Sequence, residues 1–208
     1  MMSFQRAVSA ALLAAVLLVG CSSKDPGVES SPSVVVTAVS ETGDSFHITP
    51  PEGWVVVPVE SYEAMDYIAS ANGDPGFSAA SLRVQHWSLE ALRVTLGRGE
   101  EKPVIIDVNG YRDEGMASAR MVERISDVAV LQDRMIAGEH AVGYSRIVTD
   151  DGIPERYDTW LVGRHDGLWR FTLNSAPGES AVPSEATAAL DTVSWGPPES
   201  AIPTVRES

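Results

Sequence analysis

The chain has 208 residues with 15 basic and 29 acidic side chains, a net charge of −14, and 44% hydrophobic residues that include five tryptophans. Such an apolar fraction supports a packed core over disorder, and the length beyond the N-terminal segment suits a single domain. An acidic balance of this size repels phosphate backbones and anionic lipid surfaces, which argues against a nucleic-acid partner and keeps the domain in solution.

Arg6 is followed by an apolar run from Ala7 to Val19 and then by small residues around a cysteine, the layout of a secretory signal covering residues 1–20. The run falls short of the roughly 20 residues that cross a hydrocarbon core. Leu18-Val19-Gly20-Cys21 looks like a bacterial lipobox, in which the thiol takes acyl chains such as palmitate and the peptide bond before it is then cut. Cys21 is therefore the expected lipidation site, against the plainer alternative of an ordinary signal peptide that ends near a cysteine. Each buried methylene of an acyl chain contributes about 0.8 kcal/mol, so several chains anchor stably where one is marginal. Because Cys21 is the only cysteine, the domain has no disulfide. Residues 21–43, rich in Ser, Pro and Val without a clear period, read as a tether.

The globular domain is expected over residues 44–196. Phe46 and Ile48 alternate with polar neighbours before Pro50-Pro51, and Gly53-Trp54-Val55-Val56-Val57 resumes the pattern, giving two short strands or one bent strand. Tyr62, Met65, Ile68 and Ala69 recur at helical spacing and predict a short helix ended by the turn from Asn72 to Gly76. Ala80, Leu82 and Val84 mark a strand reaching Trp87, whereas Leu89 to Gly97 fits helix or strand equally. Val104 to Val108 is β-branched and reads as a strand broken by Asn109-Gly110. Ala117, Met121, Ile125 and Val128, spaced by four, four and three, predict an amphipathic helix over 113–129.

Three strands follow as a meander, Val142 to Val148, Arg156 to Val162 and Leu168 to Leu173, with Asp151-Gly152 and Asp166-Gly167 as turns. A two-residue turn at Asp166-Gly167 sets Trp160 against Leu173, Val162 against Phe171 and Arg164 against Trp169. It leaves Tyr157, Thr159 and Thr172 on the opposite, half-polar face. At the first turn, a three-residue loop from Asp150 to Gly152 sets Val142 against Trp160 but Arg146 against Arg156. A two-residue turn avoids that repulsion and sets Gly143 against Trp160; the first alternative is preferred. Ser184 is expected to cap a last helix through Ala186, Ala189 and Leu190, after which Val193-Ser194-Trp195 packs back and the Pro-rich tail 197–208 frays.

The opening from Phe46 to Trp54, the long helix, Ile136-Ala137-Gly138-Glu139-His140-Ala141, the two Asp-Gly hairpins and Ala176-Pro177 resemble, in that order, the LpqN/LpqT lipoproteins of actinobacteria. The resemblance spans about residues 44 to 196 and rests on strand edges and turns, so it speaks to fold before activity. It implies an α+β domain, an antiparallel sheet with helices packed on its faces in the PsbP-like α/β/α sandwich. It also implies lipid anchoring on the outer face of the plasma membrane and a non-catalytic role in envelope biogenesis. The segment Leu89 to Val108 is long for that pattern.

His47, His86, His140 and His165 show no metal-ligand spacing, and a zinc site is not expected. Asp150-Asp151-Gly152 lacks the alternating ligands of a calcium loop and reads as a hairpin. Serine hydrolases carry Gly-x-Ser-x-Gly, which is absent; His165-Asp166 diverge as neighbours in a turn; Asp113-Glu114 and Asp150-Asp151 read as solvated charge. Gly97-Arg98-Gly99 lacks the spacing of a phosphate loop, so no cofactor is indicated. Trp54, Trp87, Trp160, Trp169 and Trp195 can line an apolar groove but are expected in the core. The leading expectation is a non-catalytic, lipid-anchored binding or scaffolding domain whose partners are the membrane and envelope proteins or lipids. The competing classes are a carrier of an apolar envelope molecule, which an apolar cavity between helix 113–129 and the sheet would favour, and an undetected hydrolase.

Overall fold

The structure is a computed structural model and describes residues 36–39, 45–59, 65–74, 78–95 and 104–196. The secretory segment, Cys21, Gly97-Arg98-Gly99 and the tail 197–208 lie outside the described residues. Strands are β1 (Val36–Val39), β2 (Ser45–Ile48), β3 (Val55–Val56), β4 (Tyr67–Ser70), β5 (Ser81–Ser88), β6 (Ile125–Ile136), β7 (Glu139–Asp150), β8 (Ile153–Arg164), β9 (Gly167–Asn174) and β10 (Ser194–Trp195). Helices are α1 (Leu89–Thr95), α2 (Val108–Arg120) and α3 (Ser184–Ala189), the last continuing into a 3-10 turn, Leu190–Thr192.

Among the described residues, seven strands form one antiparallel sheet in the order β3-β4-β5-β9-β8-β7-β6, and β1-β2-β10 form a smaller sheet. The result is a single α+β domain. Two strands do flank Pro50-Pro51, but in different sheets: β2 pairs with β10, whereas β3 pairs with β4. Residues 36–39, read from the sequence as part of the tether, pair with β2 as β1, so paired structure begins before residue 44.

Alternation along the central strands divides the large sheet into two faces. One face presents Tyr67, Leu82, Val84, Trp169, Phe171, Leu173, Trp160 and Val162 to the small sheet and α3, and this is the main core. The other presents Val142, Leu161 and Leu168 to α1 and α2, with Leu92 and the half-buried Trp87, Val104, Ile106, Val108 and Tyr111 completing a second cluster.

The hairpins depart from expectation in register. At the first, Asp150 pairs with Ile153 across Asp151-Gly152, both at positive φ, so the two-residue turn is formed and Gly143, not Val142, faces Trp160. Packing explains the choice, since a Cβ at Gly143 would lie 2.6 Å from Trp160 Cε3. At the second, the turn residues are His165-Asp166 and Trp160 faces Phe171, a shift of two that leaves the faces unchanged. Gly167 is needed for close approach instead: a Cβ there would sit 2.1 Å from the Trp87 carbonyl oxygen.

Three helix and strand assignments are corrected. Tyr67 to Ser70, expected in a helix from Tyr62 to Ala69, form β4, and residues 60–64 of that stretch lie outside the described residues. All four residues of β4 are buried, and a strand covered on both faces shows no alternation to separate it from a helix. Val104 to Asp107 are irregular and Val108 opens α2, whose Asp107 carboxylate accepts from the Gly110 amide at 2.9 Å. Asn109-Gly110 thus lies in a helix's first turn instead of breaking a strand. A Cβ at Gly110 would meet that carboxylate at 2.6 Å, so a larger residue would displace the capping side chain.

The expected helix 113–129 ends at Arg120; Met121 is 82% exposed, and Ile125 and Val128 belong to β6. Two bulges in β6 set Asp127 and Val128 opposite Arg146, and Gln132 and Asp133 opposite Val142. Each extra residue delays the return of the chain to the inner face, so the half-buried positions Ile125, Val128, Leu131 and Arg134 recur every three residues. That spacing imitates a helix. At α3, Pro183 occupies the N-cap position without a side-chain cap, so Ser184 does not cap the helix.

Candidate ligand pocket

α1 leaves β5 directly, its first turn held by Ser88 Oγ accepting from the Ala91 amide at 3.1 Å. Leu92 turns inward onto Leu168 and Leu161. α2 lies over β6, β7 and β8, and at Gly115 it approaches Tyr144 so closely that a Cβ would stand 3.0 Å from the phenol oxygen. Between these helices and the sheet lies a cavity of about 440 Å³. Trp87, Leu92, Leu161 and Leu168 form its apolar wall, and Tyr111, Tyr144, Thr95, Glu114 and Arg170 supply polar atoms. The volume falls within the range of about 300–1,000 Å³ typical of small-molecule sites.

Arg170 stands on β9 between Gln85 of β5 and Leu161 of β8. Its Nη2 donates to Gln85 Oε1, its guanidinium lies 4.6 Å above the Trp87 ring, and its Nε is buried with no hydrogen-bond acceptor in the structure. Burial pushes its pKa below the ordinary arginine value; the Arg146 charge pushes the same way, and Tyr144 opposes both. Arginine nonetheless remains cationic at neutral pH. Arg146 follows on the same face of β7, donating from Nη1 to Tyr144 Oη at 3.2 Å and stacking on Tyr157 at 5.1 Å, with its own Nε buried and without an acceptor. Tyr157 donates to Glu155 Oε2 at 2.8 Å, and burial foremost, then Glu155, raises its pKa. Tyr157, Thr159 and Thr172 share this face as expected, but Tyr157 and Thr159 are buried, so that part of the face is not open to solvent.

The four histidines are dispersed. His47 Nε2 lies 2.7 Å from the Gly196 carbonyl oxygen, and His86 stacks on Trp169 at 4.2 Å. His140 pairs with Asp133 at 3.0 Å on the surface; His165 is exposed in its turn, and both border a shallow depression beside Glu139 and Arg164. Among the described residues no group of three or more His, Cys, Asp or Glu is placed to hold a metal ion. Asp166 turns from His165 toward the interior, where it accepts from Trp169 Nε1 at 3.2 Å and Arg164 Nε at 3.1 Å. Asp113 pairs with Arg112 at 2.9 Å and Asp150 with Arg124 at 3.4 Å. Four of the five tryptophans serve the main core; Trp87 instead lines the pocket. Arg170 went unnoticed in the sequence, although an arginine between Trp169 and Phe171 on a strand covered from both sides is itself a signal.

No family model matches the chain, and no curated protein matches it. Among solved structures the fold is similar to that of LpqN of Mycobacterium tuberculosis, described as involved in cell envelope biogenesis. The TM-score is 0.53 at 11% identity, covering 79% of this chain and 91% of that one. A protein of Bacteroides thetaiotaomicron VPI-5482 gives a TM-score of 0.44 at 10% identity, over 74% of this chain and 46% of that one.

Proposed function

We propose that the chain is a membrane-tethered, extracytoplasmic binding protein of the bacterial cell envelope, acylated at Cys21, whose pocket between α1, α2 and the sheet carries an apolar-bodied ligand. The observation that carries this reading is the pocket itself, a cavity of about 440 Å³ walled by Trp87, Leu92, Leu161 and Leu168. It favours a carrier over a scaffold that works by its outer surface alone. The envelope setting is supported by the lipobox at Cys21 and by a fold similar to that of a protein described as involved in envelope biogenesis.

Two measurements test the two halves of the proposal. Metabolic labelling with a fatty acid analogue should mark the wild type in the membrane fraction, while the Cys21→Ala variant should lose the label; equal labelling of both would remove the tether. Native mass spectrometry of the purified chain should show an added mass that organic solvent extracts. A chain that stays at its own mass after incubation with envelope lipids would remove the carrier.

A further inference from the structure

We propose that the pocket selects amphiphiles with a single acidic head group, a carboxylate or a phosphate ester, held at Arg170, with the apolar body lying along Trp87, Leu92, Leu161 and Leu168. The inference rests on the carrier reading and deepens it.

The first ground is the company that arginines keep in this acidic chain. Arg93, Arg112, Arg124, Arg134, Arg156 and Arg164 each stand within ion-pair distance of an aspartate or glutamate. Arg120, exposed at the end of α2, reaches a carbonyl oxygen instead, and Arg170 and Arg146 meet no acid among the described residues. Among the described residues their partners are an amide oxygen, a phenol and aromatic rings. A guanidinium presents its donors in a planar fork that matches a carboxylate or phosphate, and none of its donors meets such a group here.

The second ground is where the unused donors are. Arg170 Nε and Arg146 Nε are both buried and lack an acceptor, on one sheet face and near enough for the charge of Arg146 to disfavour that of Arg170. An anion against the part of Arg170 that lines the pocket relieves that repulsion and offsets the desolvation that lowers the pKa of Arg170. Glu114, also at the pocket, is exposed on α2, where solvent screens its charge. A net charge of −14 keeps the domain off anionic membranes as a whole, so this cationic site acts on single molecules and not on a bilayer surface.

Calorimetry on the full chain carrying Cys21→Ala, which has no acyl group of its own, separates the possibilities with three probes of equal chain length. Decanoate and decyl phosphate should bind about tenfold or more tighter than decanol, as expected of a hydrogen bond to a charged group. Arg170→Gln should abolish that preference, and a near-ultraviolet dichroism spectrum matching the parent's reports that the fold is intact. A preference for one acid over the other identifies the head group as carboxylate or phosphate and supports the proposal either way. Equal affinity for all three probes in the parent chain overturns the head-group inference and leaves the carrier standing. Failure of all three to bind overturns both. The comparison in the parent chain decides the matter even where the Arg170→Gln chain does not fold.

Discussion

Replacing Trp169 with alanine is expected to lower the unfolding free energy by about 3–5 kcal/mol, among the largest losses a single core truncation produces. The indole is fully buried at 0% exposure. On its own sheet it stacks with His86 at 4.2 Å, and across the core it meets Phe46 of the small sheet at 5.2 Å and Trp195 at 5.2 Å. Trp169 is therefore a central contact between the two sheets, beside those of Phe46 with Tyr67 and of Phe171 with Trp195, and its loss leaves a cavity that neither backbone can collapse to fill. Denaturant unfolding should show a lower midpoint at unchanged slope, with diminished near-ultraviolet dichroism. A midpoint equal to that of the parent would mean that the core does not depend on this contact.

Asp166→Ala should cost a similar amount, about 3–5 kcal/mol, for an electrostatic reason. The Asp166 side chain is 1% exposed and that of Arg164 8% exposed. Removing the carboxylate leaves a buried guanidinium whose other acid, Glu139, stands 3.7 Å away and is 41% exposed, and leaves Trp169 Nε1 without its acceptor. Asp166→Asn should lose less, because an amide oxygen still accepts from the indole. Thermal unfolding of the two variants side by side tests this: equal losses would refute the role of the indole's acceptor, and an Asp166→Asn chain as stable as the parent would refute that of the charge. The Asp166 and Trp169 losses should also fall short of additive in the double variant, since the two side chains share a hydrogen bond.

The central meander was legible from the chain alone because its determinants are local. Val142 to Val148, Arg156 to Val162 and Leu168 to Leu173 alternate in polarity, and a turn residue able to adopt positive φ sits between β7 and β8 at Asp151-Gly152. Alternation also placed Tyr157 and Thr159 opposite the core face correctly, since a register error of two preserves the face. The pocket was legible only as a possibility: a cavity between a helix and the sheet was named as the mark of a carrier, but the residues that line it were not. Leu92, Leu161, Leu168 and Arg170 come from α1, β8 and β9, and nothing in their spacing along the chain brings them together.

By itself, then, the sequence determined the antiparallel meander, the division of its strands into an apolar and a half-polar face, and the tryptophans of the main core, all consequences of a two-residue period and of turn chemistry. Tertiary structure decided the rest. It made β4 a strand because burial on both sides erases the alternation that would have announced it. It split the stripe from Ala117 to Val128 between α2 and β6 because bulges in an edge strand bring inward positions back every three residues, where a helix does so every three or four. It chose the two-residue turn at Asp151-Gly152 because only a residue without a Cβ fits beneath Trp160. Arg170 took its place in the pocket by the same route: a charge on a central strand acquires its meaning from what α1 and α2 lay over it, and that contact is made across the fold, not along the chain.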